Sequence, residues 1–209
     1  MASTSPSSGA TLYFGYGSNL WRSQMLKRCP NSTFIGIGRL DNYTWLINDR
    51  GYANVVPSTS SNPSISSSSD QVWGLIYTLT TSDEAALDRN EGVPYCYEKE
   101  LHKVRLWSAK NISSKTEEER GRLGEGDGDG LMEEMLVYID HERTSPARPK
   151  QEYIYRMNRG VEDALEVGVP KEYVDDVIRK FIPAPSSTTH DPAMESLAKK
   201  QAQSFEDEE

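Results

Sequence analysis

An α+β fold is what this sequence predicts, on three observations. The 209 residues include 36% apolar ones, enough for one domain with one sizeable core. Short apolar runs bounded by glycine, proline and asparagine recur along the first two thirds of the chain and read as strands. Helical spacing occurs among them over 20–28 and 81–91, and it dominates after residue 150.

Taken in order, residues 1–10 are rich in serine, proline and glycine and are expected to be disordered. A strand at about 11–15 runs into the turn Tyr16-Gly17-Ser18-Asn19. Leu20 to Arg28 then reads as a short helix with Leu20, Met25 and Leu26 inward, closed by Pro30. Strands follow near 34–40 and 43–47, and another lies within Gly51-Tyr52-Ala53-Asn54-Val55-Val56-Pro57. Serines crowd 58–69, a polar insertion. The strand over 71–79 ends before Thr81-Ser82-Asp83-Glu84, which has capping-box spacing, and Ala85 to Leu87 extend a helix that Gly92 stops. Glu91 therefore falls at a helix C-terminus.

Further strands are expected at about 96–107 and 132–140, separated by an acidic, glycine-rich insertion at 111–130. Asp127-Gly128-Asp129-Gly130 has part of a calcium-loop pattern, but Tyr138 stands where an EF-hand needs its bidentate acid. From Gln151 to Arg159 and from Lys171 to Phe181 the spacing is helical again, with Tyr173, Val174, Val177, Ile178 and Phe181 on one stripe. The domain is thus read as 11–183. Residues 184–209 are read as a disordered acidic tail, and trimming residues 1–10 and 190–209 is expected to leave activity intact.

Charge and cysteine usage exclude several function classes. Of the formal net charge of −9, residues 111–134 hold −5 (eight acids, three bases) and residues 190–209 hold −4 (six acids, two bases). The rest of the chain is close to neutral, which leaves no basic stripe for a phosphate backbone and argues against nucleic acid. No apolar run has signal-peptide or membrane-spanning character, so a cytoplasmic location without a membrane partner is expected. Cys29 and Cys96 lack C-x-x-C spacing and are expected to be reduced, and the three N-x-S/T sequons matter only in a secreted chain. His102, His141 and His190 have neither metal-ligand spacing nor a nucleophile motif near them.

The segment Leu12-Tyr13-Phe14-Gly15-Tyr16-Gly17-Ser18-Asn19-Leu20 is the most informative. Backbone N–H groups at a strand-to-helix turn converge on one spot, and glycines let a ligand come close to them. The turn is no dinucleotide fingerprint, because Leu20 stands at the third glycine, and no Gly-Lys-Ser/Thr follows for a P-loop. Asn19 can also be read as a helix cap.

Together with Val72-Trp73-Gly74 and Leu87-Asp88-Arg89-Asn90-Glu91-Gly92, this loop resembles the γ-glutamylcyclotransferase family, which carries Tyr-Gly-Ser-Asn-Leu, Val-Trp-Gly and Leu-Asp-x-x-Glu-Gly in that order. Arg148-Pro149 to Tyr153, Met157 to Gly160 and Gly168-Val169-Pro170-x-x-Tyr173 extend the resemblance to about residue 183. It implies a small mixed β-barrel with flanking helices, no cofactor or metal, and a small-molecule γ-glutamyl substrate cyclised to 5-oxoproline. It also implies Glu91 as the catalytic general acid/base, with Tyr16, Gly17, Ser18, Asn19, Leu20, Tyr97 and Tyr153 binding substrate. The two insertions fall where they would rim the pocket, leaving open which amine or peptide the γ-glutamyl group carries, glutathione and γ-glutamyl-amines included. The oligomeric state is also open, a homodimer included. The opposing reading is a γ-glutamyl-binding module without turnover, and retention of Glu91 argues against it.

Overall fold

The computed structural model describes residues 10–58, 70–116, 119, 123, 130–185 and 192–203. The expected disorder of residues 1–9, nearly all of the serine-rich insertion and most of the acidic one lie outside the described residues.

Five strands close into a barrel: β1 (Thr11–Gly15), β2 (Thr33–Asp41), β5 (Gln71–Leu79), β6 (Glu98–Ser108) and β7 (Leu131–Ile139), in the order β1-β5-β2-β6-β7. Four of the pairings are antiparallel, and β1 lies parallel to β7 at Tyr13 and Leu136, which makes the barrel mixed. β5 is buried along most of its length because it is paired on both sides. A separate hairpin, β3 (Tyr43–Ile47) with β4 (Ala53–Pro57), packs beside the barrel. The barrel with flanking helices is the fold the sequence resemblance implies.

Three helices lie between strands or follow the first turn: α1 (Arg22–Arg28), α2 (Thr81–Glu91) and α3 (Ala109–Ser113). Three more come after the barrel: α4 (Gln151–Glu166), α5 (Lys171–Asp176) and α6 (Pro192–Gln203). The core runs from Phe14, Ile37, Leu75 and Ile76 in the strands to Met157, Val161 and Ala164 on α4, each at most 1% exposed. Trp73 and Trp107 stack with ring centroids 5.0 Å apart, and the Arg39 guanidinium lies over both.

Several local expectations are corrected. The segment after the turn is a 3₁₀ turn at Ser18–Leu20 followed by α1, and Leu26 points to solvent while Leu20 and Met25 are buried. The cap of α2 is Thr80, one residue earlier than expected, its hydroxyl accepting from the Asp83 N–H at 3.2 Å. α4 runs seven residues past Arg159, and α5 gives way to a 3₁₀ turn at Ile178–Lys180 instead of continuing to Phe181. The tail expected to be disordered from residue 184 contains α6, whose Ala198 and Ala202 are fully buried. Its buried positions are Ala198, Gln201 and Ala202, small or polar residues that do not stand out in an acidic, polar segment. Among the described residues no helix is long and apolar enough to cross a membrane.

Candidate active site

The strand-to-helix turn at the end of β1 opens onto a narrow cavity of about 50 Å³. Gly17 approaches the opposite wall so closely that a Cβ there would lie 2.9 Å from Tyr153 Oη and 3.2 Å from Ala53 Cβ, so only glycine fits. Tyr16 is fixed from both ends: its hydroxyl donates to the Tyr138 carbonyl at 2.5 Å and its own carbonyl accepts from Trp45 Nε1 at 3.0 Å.

Across the cavity, α2 delivers Glu91. The helix end has a physical logic residue by residue. Leu87 is fully buried. One position on, Asp88 accepts from Tyr138 Oη at 2.7 Å and from Lys99 Nζ at 3.1 Å, tying the last turn to β7 and β6. Three positions further, on the same side of the helix, Glu91 reaches the cavity. Gly92 then takes a left-handed φ of +66°, and its N–H and that of Val93 bond back to Arg89 and Asp88, ending the helix there.

Glu91 has its carboxyl pKa raised from the ordinary value. Burial by surrounding protein is the dominant cause, opposed by Arg28, by the hydrogen bond from Asn19 and by the more distant Arg156 and Arg50. Asn19 Nδ2 donates to Glu91 Oε1 at 3.0 Å and to Tyr13 Oη at 2.8 Å. The other end of that amide, Oδ1, accepts from Gln24 Nε2 at 2.8 Å and Arg28 Nη1 at 3.4 Å. An arginine only donates, so the oxygen of Asn19 must face Arg28 and its NH₂ must face Glu91. Arg156 fixes Gln24 in the same way, donating to its Oε1 at 3.5 Å, and also donates to Ser18 Oγ at 3.1 Å. Asn19 makes no side-chain cap to the turn or to α1; its side chain is spent on Glu91 and Tyr13.

The seven residues the sequence assigned to substrate binding divide. Tyr16, Gly17, Ser18, Asn19, Tyr97 and Tyr153 line the cavity with Glu91. Leu20 is not among the lining residues; it is buried beneath the turn against Gly160 of α4, and its N–H closes the 3₁₀ turn on the Gly17 carbonyl at 2.9 Å. Ser18 N–H is likewise engaged, donating to Tyr153 Oη at 3.2 Å, so the loop is less open-handed than its sequence suggests. Tyr153 Oη accepts from Ala53 N–H as well, also at 3.2 Å. Burial pushes that phenol up to about 12, so it stays protonated, and with two N–H groups donating to it its own hydrogen is left to donate into the cavity. Tyr97, by contrast, donates to the Ala53 carbonyl at 2.8 Å.

Sequence reasoning missed Tyr13, Arg28, Asn90, Tyr138 and Arg156 on the cavity wall. Arg156 lies 138 positions from the Ser18 hydroxyl it bonds, with Glu152 one helical turn back forming a bidentate pair to it at 2.7 and 2.9 Å. The Glu-x-x-x-Arg spacing on an otherwise apolar helix face was the available signal. Among the described residues no group of three or more His, Cys, Asp or Glu is placed to hold a metal ion.

Barrel and cavity together define a small mixed barrel in which the partly buried Glu91 carboxylate shares a cavity with the strand-to-helix turn at Gly17–Asn19. The chain belongs to the family described as Gamma-glutamyl cyclotransferase, AIG2-like, whose model matches residues 13–154. It is 31% identical over 91 residues to the human Gamma-glutamylcyclotransferase, covering 43% of this chain and 48% of that protein. To the Bos taurus Gamma-glutamylcyclotransferase it is 31% identical over 83 residues, covering 39% and 44%. The chain thus spans about half the length of the curated relatives it matches. Two solved structures share the fold. A crystal structure of an uncharacterized Homo sapiens protein superposes with a TM-score of 0.62 at 22% identity, over 91% of this chain and 98% of that one. One described as a Gamma-glutamyl cyclotransferase superposes with a TM-score of 0.60 at 21% identity, over 91% and 99%.

Proposed function

We propose that the chain is a γ-glutamylcyclotransferase, converting a γ-glutamyl amino acid or peptide to 5-oxoproline and the released amine. The substrate's α-amine attacks its own γ-carbonyl, a new C–N bond closes the five-membered lactam, and the amine formerly bound at that carbon leaves. Both reacting groups belong to one molecule, so the protein's work is to fold the substrate into the reactive conformer and to move protons. Glu91 takes the proton from the α-ammonium group and later returns one to the departing amine. A pKa raised toward neutrality suits both halves. Tyr153 donates to the oxygen that becomes negative in the tetrahedral intermediate, and Arg28 and Arg156 give the cavity wall the positive charge that draws in the substrate's α-carboxylate.

The reaction so written is of the lyase or acyl-transfer type, balances without a cofactor and acts on a small molecule, which fits a cytoplasmic location. The observation that carries the reading is the carboxylate of Glu91, enclosed and raised in pKa, directly across the cavity from the Gly17–Asn19 turn. An end-point assay for 5-oxoproline with γ-glutamyl-alanine, glutathione, a γ-glutamyl-amine and an α-glutamyl control tests it. Product from a γ-linked substrate and none from the control is expected. A γ-glutamyl ligand bound and held unchanged for hours would instead make the protein a binding module.

A further inference from the structure

The last described helix ends at the active site. α6 packs on α4 and α1, with Ala198 and Ala202 fully buried and Gln201 5% exposed. Its C-terminal carbonyls meet Arg28: Nη2 donates to Gln201 O at 2.9 Å and Nε to Ala202 O at 3.3 Å. The third arm of the same guanidinium, Nη1, donates to Asn19 Oδ1. Arg28 is also the last residue of α1, so this 6%-exposed cation lies where the C-terminal ends of two helices converge. Partial negative charge at helix C-termini stabilises a cation there, and here the stabilisation comes from α6 carbonyls far away in sequence.

We propose that α6 is a positioning element of the active site: its terminal carbonyls hold Arg28 against Asn19, and Arg28 in turn keeps the amide of Asn19 turned with its NH₂ toward Glu91. Released from those carbonyls, the guanidinium follows water, and Gln24 is then the remaining described donor that holds the amide oxygen away from Glu91. The functional domain accordingly runs to about residue 203, and the tail is not dispensable. The proposal rests on Glu91 being the acid–base group, although its first test does not need turnover.

The charges facing Glu91 are Arg28 from α1, Arg50 from the β3–β4 turn and Arg156 from α4. The phenols around it, Tyr13 on β1, Tyr16 in the turn, Tyr97 before β6, Tyr138 on β7 and Tyr153 on α4, are all pushed above their ordinary value by burial and stay neutral, as does the Cys29 thiol, pushed up to about 12. Of the three cations Arg28 is the one described as hydrogen-bonded to α6 carbonyls. Undocking the helix therefore removes one favourable charge and one favourable hydrogen bond from ionised Glu91.

In the full-length chain, Ala202→Glu places a charge on the buried face of α6, while Ala202→Ser keeps the helix docked and Ser196→Glu alters only its exposed face. Carbon-13 NMR of glutamate-labelled protein, with Glu91 assigned by its loss in Glu91→Gln, reads the carboxylate pKa. Ala202→Glu is expected to raise it by about half a unit or more, and the acid limb of kcat/KM by the same amount, with both controls at the parent value. Coupling is reciprocal, so Arg28→Gln, should Ala202→Glu fail to fold, is expected to speed amide exchange across 192–203 at least about tenfold. A folded Ala202→Glu protein with fast exchange in α6 and an unmoved Glu91 pKa would overturn the proposal, as would unaltered exchange in Arg28→Gln. A parent protein without turnover defeats the cyclotransferase reading and leaves the titration to decide this one.

Discussion

Two inward-facing carboxylates of this molecule, both within electrostatic reach of Tyr97, are treated in opposite ways. Asp140, just past β7 and 2% exposed, has its side-chain oxygens filled by Asn48 Nδ2 at 3.0 Å, the Glu142 and Arg143 N–H groups at 3.1 Å each and Arg143 Nη1 at 3.3 Å. Asn54 clamps the same residue's backbone with both ends of its amide. Glu91 receives one described hydrogen bond, from Asn19. A carboxylate saturated with donors is a structural fixture, since taking up a proton would break its bonds. One that is enclosed but sparsely bonded has a raised pKa and lone pairs free for a substrate.

The largest effect should come from Glu91→Gln. The amide is isosteric but cannot carry a proton, so turnover is expected to fall at least ~10³-fold while substrate affinity changes little. Single-turnover kinetics beside an equilibrium binding assay would show this; near-normal turnover would remove Glu91 from the chemistry. The opposite behaviour is expected of Asp140→Ala, which leaves Asn48 and Arg143 without their acceptor and should cost about 3 kcal/mol of stability in a urea titration. Its kcat per folded molecule should stay close to the parent's. A loss of kcat with stability intact would show that the two carboxylates are not divided as described.

The same rule sorts the two phenols. Tyr153→Phe removes a hydroxyl whose own hydrogen is left for the cavity, and kcat should drop about 10²-fold, the usual consequence of losing one oxyanion donor. Tyr97→Phe removes a hydroxyl already spent on the Ala53 carbonyl, so an effect of only a few-fold is expected. Steady-state kcat for the two variants side by side decides it: equal losses would mean that hydrogen-bond commitment does not distinguish them.

How much of this was legible in the sequence follows from distance along the chain. Glu91 and Gly92, or Gly17 beside Ser18, are local devices whose spacing and backbone demands are written in a few consecutive letters. The barrel was expected from resemblance, and its strands from short apolar runs. Arg28 was not legible as a site residue, because it looks like an ordinary helical arginine until the fold brings it against Asn19, and Arg156 carried only its spacing from Glu152 as a signal. Leu20 was assigned to substrate by its place in the motif, yet its side chain serves the contact between the turn and Gly160. α6 was missed because docking through alanines needs close backbone approach, which leaves little hydrophobic signal.

The smallest effect expected concerns stability, and it tests the unequal treatment of the two carboxylates without any substrate. Glu91 has a higher pKa folded than unfolded, so folding is hindered by its ionisation: its contribution is most favourable at pH below the unfolded value of about 4.3 and is lost as pH rises through the folded pKa. Glu91→Gln mimics the protonated form at every pH. Its Tm should therefore slightly exceed the parent's at pH 7 and converge on it near pH 4, a difference thermal melts at the two pH values can resolve. Burial opposes Glu91 ionisation more strongly than Arg28 and the other cations favour it, and a variant less stable than the parent at pH 7 would reverse that order. Glu91 would then be held charged by its arginines, and the proton would have to be carried by another group.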